Sequence, residues 1–449
     1  MRTYFCGSLW LCLFFFSFFS QMANATDKIF TSLQEALRTP DKVFHLDLSG
    51  QSLENIGENI GKLTSLRILD LSKNQLNSLP LAISKLENLE EIMLNQNPTL
   101  DILQCIARLK ELPKLHKFLY SYNSLRQLPP EISQLKYLEV LGLQGNSLHQ
   151  IPSEIGEIVG LNSLYLQSNH LTHLPNEIAK LANLQFLDIY FNQLREIPQN
   201  FGELSKLYFL NVSHNFLTTI PTDFKKLSNL RELYLGINPI LDWSKTLLTL
   251  SAIPNLKVLD LRRSDLHTLP SEITLFLQLE ELFLVENDLK QLPENFGLLK
   301  KLKVISLNHN QLTSLPKSFE ELTELEVLEL GGNPKLDFET LYKNFPRWTR
   351  LQKLDLSFNG LREIGQEICQ LSALNQLNLR NNQLNKVCNT LTNLRNLERL
   401  DLARNHFEDI SEDLQHLAKL RELNLSQNRL SPNTRQKIEK LLPQTYISY

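Results

Sequence analysis

Apolar and polar positions repeat along this chain with a fixed spacing. Each copy of the repeat reads L-x-x-L-x-L-x-x-N-x-L-x-x-L-P-x-x-I/F-x-x-L, as from Leu66 through Asn74 and Pro80 to Leu86. Aligned on the asparagine, the chain contains 17 copies, and 13 of the 16 steps between them are 23 residues long. A period of this length across most of a chain predicts one elongated domain in which neighbouring copies stack on each other.

The placement of the leucines within each copy predicts a strand followed by a turn. In L-x-L the apolar residues alternate with variable ones, which is the pattern of a short strand with one buried face. The asparagine follows, where its amide can bond backbone groups that the turn leaves unpaired. In L-P, the proline prevents further strand pairing. We therefore predict an α/β solenoid with a parallel β-sheet on its concave face and short helical and irregular turns on its convex face.

The first 25 residues differ from the repeats and have the features of a signal peptide. Arg2 is their only charge, residues 9–19 are largely apolar, and Ala23-Asn24-Ala25 supplies small residues before a cleavage site. A membrane anchor is the alternative, but the apolar run is shorter than the roughly 20 residues that a spanning helix needs. We predict cleavage before Thr26, and hence export.

Caps are predicted at both ends of the repeat domain, which spans residues 43–430. Within residues 26–42, the apolar spacing suits a short helix that Pro40 ends before the first strand. Within residues 431–449, Ser431 and Pro432 match the start of a helix, and the last residues match an edge strand.

Three copies are 26 residues long, and each begins with N-P-x-L-D in place of the L-P turn. Their aspartates, Asp101, Asp242 and Asp337, are predicted N-caps of helices with about two turns. These longer copies are expected to thicken the convex side of the solenoid. A partner-binding role for the three segments is the alternative.

Composition limits the classes of partner. Without Arg2 the chain carries 45 basic and 49 acidic residues, a formal charge of −4 spread along its length. This balance excludes the basic surface that nucleic-acid binding needs. Cys105, Cys369 and Cys388 remain after cleavage, and because they lie at different positions of their repeats we expect no disulfide framework.

The motif L-x-x-L-x-L-x-x-N, followed by L-P-x-x-I, resembles the leucine-rich repeat superfamily over most of the chain. The flanking segments 33–48 and 430–442 are similar to the caps of secreted bacterial leucine-rich-repeat proteins of spirochaete type. The resemblance implies a horseshoe-shaped leucine-rich-repeat solenoid that is secreted, periplasmic or held on the outer surface. It also implies a non-catalytic interaction protein, of the adhesin or host-interaction kind. It transfers no individual functional residue.

Catalytic and cofactor motifs are absent from the sequence. It contains no H-E-x-x-H, G-x-S-x-G, Walker A or G-x-G-x-x-G motif and no paired C-x-x-C. His170 and His173 lie close together in sequence, but variable solvent-facing positions of a repeat account for them without a metal. We therefore predict no enzyme activity, no metal site and no small-molecule cofactor.

Function is expected on the variable positions of the concave sheet. The central copies place aromatic residues there, with two arginines toward one end, and we predict that this stripe binds a partner. Its members are Tyr165, Phe186, Tyr190, Phe191, Phe209, Tyr234, Arg262, Arg263 and Phe283. Aromatic and arginine side chains dominate interface hot spots, so the predicted partner is a protein ligand, such as a host protein, and the alternative is a glycan. Phe186 and Phe209 have a second interpretation, in which they only pack on neighbouring strands.

Overall fold

The structure is a computed structural model that describes residues 28–387 and 391–449. The predicted signal peptide and Cys388 lie outside these residues. The described chain forms two compact units: one contains the residues up to Leu148 together with Pro152–Tyr165, and the other contains His149–Ile151 and Leu166–Tyr449. Across the described ranges, no helix is long and apolar enough to cross a membrane.

In its described residues, the first unit is a parallel array of short strands. These strands are β1 (Ile29–Phe30), β2 (His45–Asp47), β3 (Ile68–Asp70), β4 (Glu91–Met93), β5 (Lys117–Leu119), β6 (Val140–Gly142) and β7 (Ser163–Tyr165). The α-helices are α1 (Leu33–Ala36) and α2 (Ile102–Leu109), and the 3-10 helices span Pro40–Lys42, Glu58–Lys62, Leu81–Lys85, Pro130–Gln134 and Ser153–Glu157. Each strand pairs in parallel with the next one in sequence.

The second unit repeats this organisation. Its strands are β8 (Phe186–Asp188), β9 (Phe209–Asn211), β10 (Glu232–Tyr234), β11 (Val258–Asp260), β12 (Glu281–Phe283), β13 (Val304–Ser306), β14 (Val327–Glu329), β15 (Lys353–Asp355), β16 (Gln376–Asn378), β17 (Arg399–Asp401), β18 (Glu422–Asn424) and β19 (Tyr446–Ser448). Its α-helices are α3 (Trp243–Leu250), α4 (Phe338–Tyr342) and α5 (Pro432–Leu441). Its 3-10 helices span Asn176–Lys180, Gln199–Glu203, Thr222–Lys226, Ser271–Leu275, Phe296–Leu298, Lys317–Glu321, Phe345–Arg347, Gln366–Gln370, Leu391–Asn393 and Glu412–His416. Successive strands are again parallel neighbours.

The repeat spacing sets the register of the strands. Leu210 of β9 pairs with Leu233 of β10, and Asn211 pairs with Tyr234, so equivalent positions of successive copies lie side by side. Both leucines are fully buried. Because side chains alternate across a strand, the residues on either side of each central leucine stand on the opposite face. We refer to that opposite face as the sheet face.

Asparagines that follow the strands bond backbone groups that the turn leaves unpaired, as predicted, and some of these groups belong to the neighbouring copy. The Nδ2 group of Asn215 donates to the carbonyl oxygen of Val212 in its own copy, at 3.0 Å, and to that of Ile189 in the preceding copy, at 3.1 Å. Its Oδ1 atom accepts the N–H of Leu194 at 2.9 Å. One buried amide therefore satisfies three backbone groups that have no partner in the strand ladder.

The L-P dipeptides lead into 3-10 helices on the side of the repeat away from the strands. Pro198 precedes the 3-10 helix Gln199–Glu203, in which Phe201 is fully buried. Phe201 stacks on Phe224 of the next copy with ring centroids 5.4 Å apart. The I/F position of the repeat thus forms a second apolar layer behind the sheet.

The three 26-residue copies carry α-helices where the other copies carry 3-10 helices, which confirms the prediction of about two turns for the first two copies, whereas the helix of the third copy has five residues. Each helix begins after the predicted aspartate, whose side chain accepts backbone N–H groups: Asp101 for α2, Asp242 for α3 and Asp337 for α4. The helix α4 ends at Tyr342. Pro346 stops it there, because proline lacks an N–H and its ring would clash with the Tyr342 carbonyl group in a continued helix.

The two ends of the described chain carry short caps. The Oγ atom of Ser32 accepts the N–H of Glu35 and so caps α1. The sequence predicts only a helix in this segment, but β1 precedes it and adds a strand beside β2, with Phe30 buried. At the other end, Ser431 caps α5, and β19 pairs with β18.

The sequence predicts no disulfide framework, and this prediction is wrong for one described cysteine. Cys369 is disulfide-bonded, whereas Cys105 is free and buried. Position within the repeat is a poor guide to pairing, because a disulfide depends only on how closely two Cβ atoms approach in space.

Candidate functional site

The sheet face of the second unit is built from two rows of side chains. The first row precedes the central strand leucine and runs through Phe186, Phe209, Glu232, Val258 and Glu281. The second row follows that leucine and runs through Asp188, Asn211, Tyr234, Asp260 and Phe283. Neighbouring members of a row lie on strands about 4.8 Å apart, which is close enough for their side chains to touch.

Three aromatic rings of the predicted stripe pack against one another. Phe186 and Phe209 stack with centroids 4.2 Å apart and 7° between the ring planes, and Phe209 contacts Tyr234 at 5.2 Å. Phe209 is only 7% exposed, while Phe186 and Tyr234 are half-buried. Phe209 therefore fits the second interpretation of the sequence, in which its ring only packs on neighbouring strands. A partner would contact Phe186 and Tyr234 before it contacted Phe209.

A second group of rings lies just beyond the strand ends. Tyr190, Phe191 and His214 contact one another with centroids between 4.3 and 6.0 Å apart, and Phe191 is 46% exposed. Phe191 and His214 have positive φ angles of 55° and 57°. Glycine or asparagine adopts this backbone region with less strain than a large side chain does. The same position has a positive φ angle in most copies, for example at Lys73, Gln96 and Glu286, so the conformation belongs to the repeat, and it is the exposure of Phe191 that makes its ring available to a partner.

The two predicted arginines are neutralised by acidic neighbours. The Nε atom of Arg262 lies 2.7 Å from Oδ2 of Asp260, and the guanidinium group lies over the ring of Phe283 at 5.4 Å. Arg263 donates two hydrogen bonds to Glu286, at 2.8 and 2.7 Å. An anionic ligand would have to replace one of these ion pairs.

The predicted residues of the second unit do not form one continuous group. Tyr165 belongs to the first unit, where it ends β7 and is half-buried. In the second unit, Asp260 lies between Tyr234 and Phe283 in the second row, so its ion pair interrupts the aromatic stripe. We call the part before this interruption the aromatic surface; it consists of Phe186, Tyr190, Phe191, His214 and Tyr234, with Phe209 beneath.

Acidic side chains that the sequence analysis did not single out lie beside the aromatic surface. Burial raises the pKa of Glu232 to about 7, and the hydroxyl groups of Tyr234 and Tyr208 donate to its carboxylate. Burial also raises the pKa of Asp188 to about 7, although the N–H of Tyr190 donates to it at 3.0 Å. The sequence could have indicated Glu232, because it is an acidic residue at a first-row position where the neighbouring copies have Phe209 and Val258.

Replacing Asp188 with asparagine is expected to raise the free energy of unfolding at pH 8 by about 1–2 kcal/mol. Because the folded-state pKa of Asp188 is about 7 and its ordinary value is 3.8, the folded protein binds more protons than the unfolded chain between these values. The free energy of unfolding of the wild type therefore falls as pH rises through that window and stays low above it. Asparagine keeps the acceptor for the Tyr190 N–H and carries no charge.

Urea denaturation of both proteins at pH 4 and pH 8 measures this difference. The two proteins should be about equally stable at pH 4, where the Asp188 carboxyl group is largely protonated in the folded state. A stability difference that is the same at both pH values would contradict the raised pKa.

Metal-ligating side chains converge at one place in the described part of the chain. Asp265, His267 and Asp288 each bring a ligand atom within 4.8 Å of the others, at exposed or half-exposed positions. Exposed acidic groups of this kind are common on proteins without a metal. His170, which the sequence analysis considered, lies with its ring 5.6 Å from that of His149.

The sequence matches three descriptions of one family of repeats. Residues 153–243 match the description "Leucine-rich repeat region". Residues 277–334, 349–407 and 389–430 match "Leucine rich repeat", and residues 65–86 match "Leucine Rich Repeat". No curated protein sequence matches the chain significantly.

Several solved structures are similar to this one. An LRR protein of Leptospira interrogans is 30% identical, with 94% of this chain and 100% of that chain covered and a TM-score of 0.63. The LRR ectodomain of the plant receptor kinase GASSHO1/SCHENGEN3 from Arabidopsis thaliana, in complex with CASPARIAN STRIP INTEGRITY FACTOR 2, is 28% identical, with a TM-score of 0.55. That match covers 86% of this chain and 53% of the receptor chain. A TDR receptor is 26% identical over 90% of this chain and 71% of its own, with a TM-score of 0.54.

Proposed function

Because the chain belongs to the leucine-rich repeat family, we propose that it is an exported, non-catalytic binding protein whose aromatic surface contacts a protein partner. The observation that carries the proposal is the group of mutually contacting, partly exposed rings on the second unit. Partly exposed aromatic side chains on a rigid support are typical of interface hot spots, because they lose little conformational freedom on binding.

A protein or peptide partner is favoured over a glycan by the way the rings pack. Phe186 and Phe209 stack face to face, so those two ring faces are not available to lie against a sugar. The plant ectodomain that resembles this chain was solved with CASPARIAN STRIP INTEGRITY FACTOR 2 bound, which supports the same class of ligand. The resemblance of the flanking segments to those of secreted bacterial proteins supports an adhesin or host-interaction role.

Export is the second part of the proposal. A disulfide at Cys369 supports it, because disulfides persist mainly in oxidising compartments outside the cytoplasm. N-terminal sequencing of the protein from envelope and medium fractions should give a chain that begins at Thr26. A cytoplasmic chain that still begins at Met1 would contradict export.

The combined change of Tyr190→Ala and Phe191→Ala is expected to weaken partner binding about 100-fold, which is the range seen when two hot-spot rings are removed. The melting temperature should change little, because Phe191 is 46% exposed and Tyr190 is only half-buried. The measurement is a pull-down with the purified mature chain, followed by titration of the captured protein against wild type and variant.

The matched control is Tyr137→Ala. Tyr137 is 57% exposed and lies between the 3-10 helix Pro130–Gln134 and β6, away from the sheet face. The Tyr137→Ala variant should bind the captured protein as the wild type does. Equal binding by the wild type and the Tyr190→Ala, Phe191→Ala variant would show that the partner binds at another part of the protein.

A glycan array that is positive for the wild type and blank for the Tyr190→Ala, Phe191→Ala variant would favour the sugar alternative.

A further inference from the structure

Two strands of the second unit carry the same acidic and aromatic pair. The strand β10 reads Glu232-Leu233-Tyr234, and β12 reads Glu281-Leu282-Phe283. The central leucines are fully buried, so the acid and the ring of each strand stand on the sheet face. Because β11 lies between the two strands, the pairs are two strand spacings apart, which is about 10 Å.

The carboxylates of these two pairs form no ion pair among the described residues, although the charge of Lys303 acts on Glu281. Glu232 accepts the hydroxyl group of Tyr234 at 3.3 Å, and Glu281 takes part in no ion pair within that part of the chain. Burial raises the pKa of both carboxyl groups. Four other carboxylates of the second unit are held in ion pairs: Asp260 with Arg262, Glu280 with Lys257, Glu286 with Arg263, and Glu329 with Lys353.

Each of the two carboxylates has an aromatic ring on its own strand. The guanidinium group of Arg262 already lies over the ring of Phe283, at 5.4 Å, so a partner's cation at this pair would be held mainly by the Glu281 carboxylate. A negative charge beside an aromatic ring favours lysine and arginine side chains, since the ring attracts the cation and the carboxylate accepts its hydrogen bonds. A partly buried carboxylate without a cation also gains most when a partner supplies one.

We propose that this part of the sheet face binds a polypeptide segment in the polyproline II conformation with two basic residues three positions apart. One basic side chain lies against Glu232 and Tyr234, and the other lies against Glu281 and Phe283. A polyproline II helix has three residues per turn and rises about 3.1 Å per residue, so side chains i and i+3 point to the same side and lie about 9 Å apart, close to the distance of about 10 Å between the two pairs. This inference rests on the proposed function and adds the charge and the spacing of the residues that the partner contributes.

A phage-displayed library of randomised dodecapeptides, selected on the full mature chain, tests this inference. The enriched peptides should contain lysine or arginine at positions i and i+3. Synthetic copies of these peptides should bind about 10- to 100-fold more weakly to the Glu232→Gln, Glu281→Gln double variant, because two charge-assisted hydrogen bonds are lost.

The matched control is the Glu329→Gln variant. In the wild type, the Glu329 carboxylate already forms an ion pair with Lys353 at 2.6 Å. This variant should bind the selected peptides as the wild type does. Circular dichroism melts establish that both variants fold. If the double variant does not fold, Glu281→Gln alone provides the comparison, because Glu281 is half-exposed.

Three results would overturn the inference: selection of acidic or uncharged peptides, selection of none, or equal binding of basic peptides by the wild type and the glutamine variant. The pull-down separates this failure from failure of the proposed function. If the glutamine variant keeps a partner that the Tyr190→Ala, Phe191→Ala variant loses, the proposed function stands and the basic segment is excluded. If the glutamine variant and the Tyr190→Ala, Phe191→Ala variant both keep the partner, both proposals fail.

Discussion

Replacing Asn238 with alanine is expected to lower the free energy of unfolding by about 2–6 kcal/mol, since the Leu235 carbonyl group and the Leu217 N–H lose their partner at about 1–3 kcal/mol each, while the Val212 carbonyl group keeps Asn215. The Nδ2 group of Asn238 donates to the carbonyl oxygens of Val212 at 3.1 Å and Leu235 at 2.8 Å. Its Oδ1 atom accepts the N–H of Leu217 at 3.1 Å, and the residue is 0% exposed. Water cannot reach this position to replace the lost hydrogen bonds.

The matched control is Asn428→Ala, because Asn428 makes the same three bonds at a position that solvent reaches. It donates to Leu402 and Leu425 at 2.9 and 3.0 Å and accepts from Phe407 at 3.1 Å, but it is only half-buried. Water can satisfy the groups left behind, so the loss should be about 1 kcal/mol. Urea denaturation followed by circular dichroism measures both variants, and equal losses would contradict a role for burial.

Replacing Trp348 with alanine is expected to cost about 3–5 kcal/mol, the range for removing a large aromatic side chain from a core. Trp348 is 0% exposed and lies at the end of the 3-10 helix Phe345–Arg347, in the third 26-residue copy. Its ring contacts Phe319 of the preceding copy and Phe345 of its own copy, each with centroids 5.7 Å apart. The indole fills space between two copies, and alanine would leave a cavity there.

Trp348→Phe is the control for this cavity, because phenylalanine keeps one ring against both neighbours. It should lose roughly half as much stability as the alanine variant, since the cost of a core substitution follows the volume removed. Thermal unfolding of the three proteins measures the order. Equal stability of the alanine and phenylalanine variants would contradict this expectation, because it would mean that neighbouring side chains move to fill the cavity.

Much of the fold could be predicted from the sequence because each repeat is a local pattern in a recurring context. Leu210 is buried, and Asn215 bonds to two successive copies, as their positions in the motif predict. The aspartates of the longer copies cap helices for the same local reason. The disulfide at Cys369 was missed, because cysteine pairing depends on distance in space rather than on position in the repeat.

The candidate site could be predicted only in outline. The motif identifies which residues stand on the sheet face, but it does not show which of them remain accessible. Phe209 has the same motif position as Phe186, and it is buried because rings on both sides cover it. The predicted stripe also contains two arginines, whose charges are matched by Asp260 and Glu286.

The sequence by itself determined the period, the strands, the turns and the asparagine hydrogen bonds. Each of these depends on residues within one copy or at the same place in the next, so a recurring motif specifies them. Only the tertiary structure decided the exposed chemistry of the sheet face. Ring stacking between residues 23 positions apart and the presence or absence of a cation beside each carboxylate depend on the particular side chains that neighbouring copies bring together.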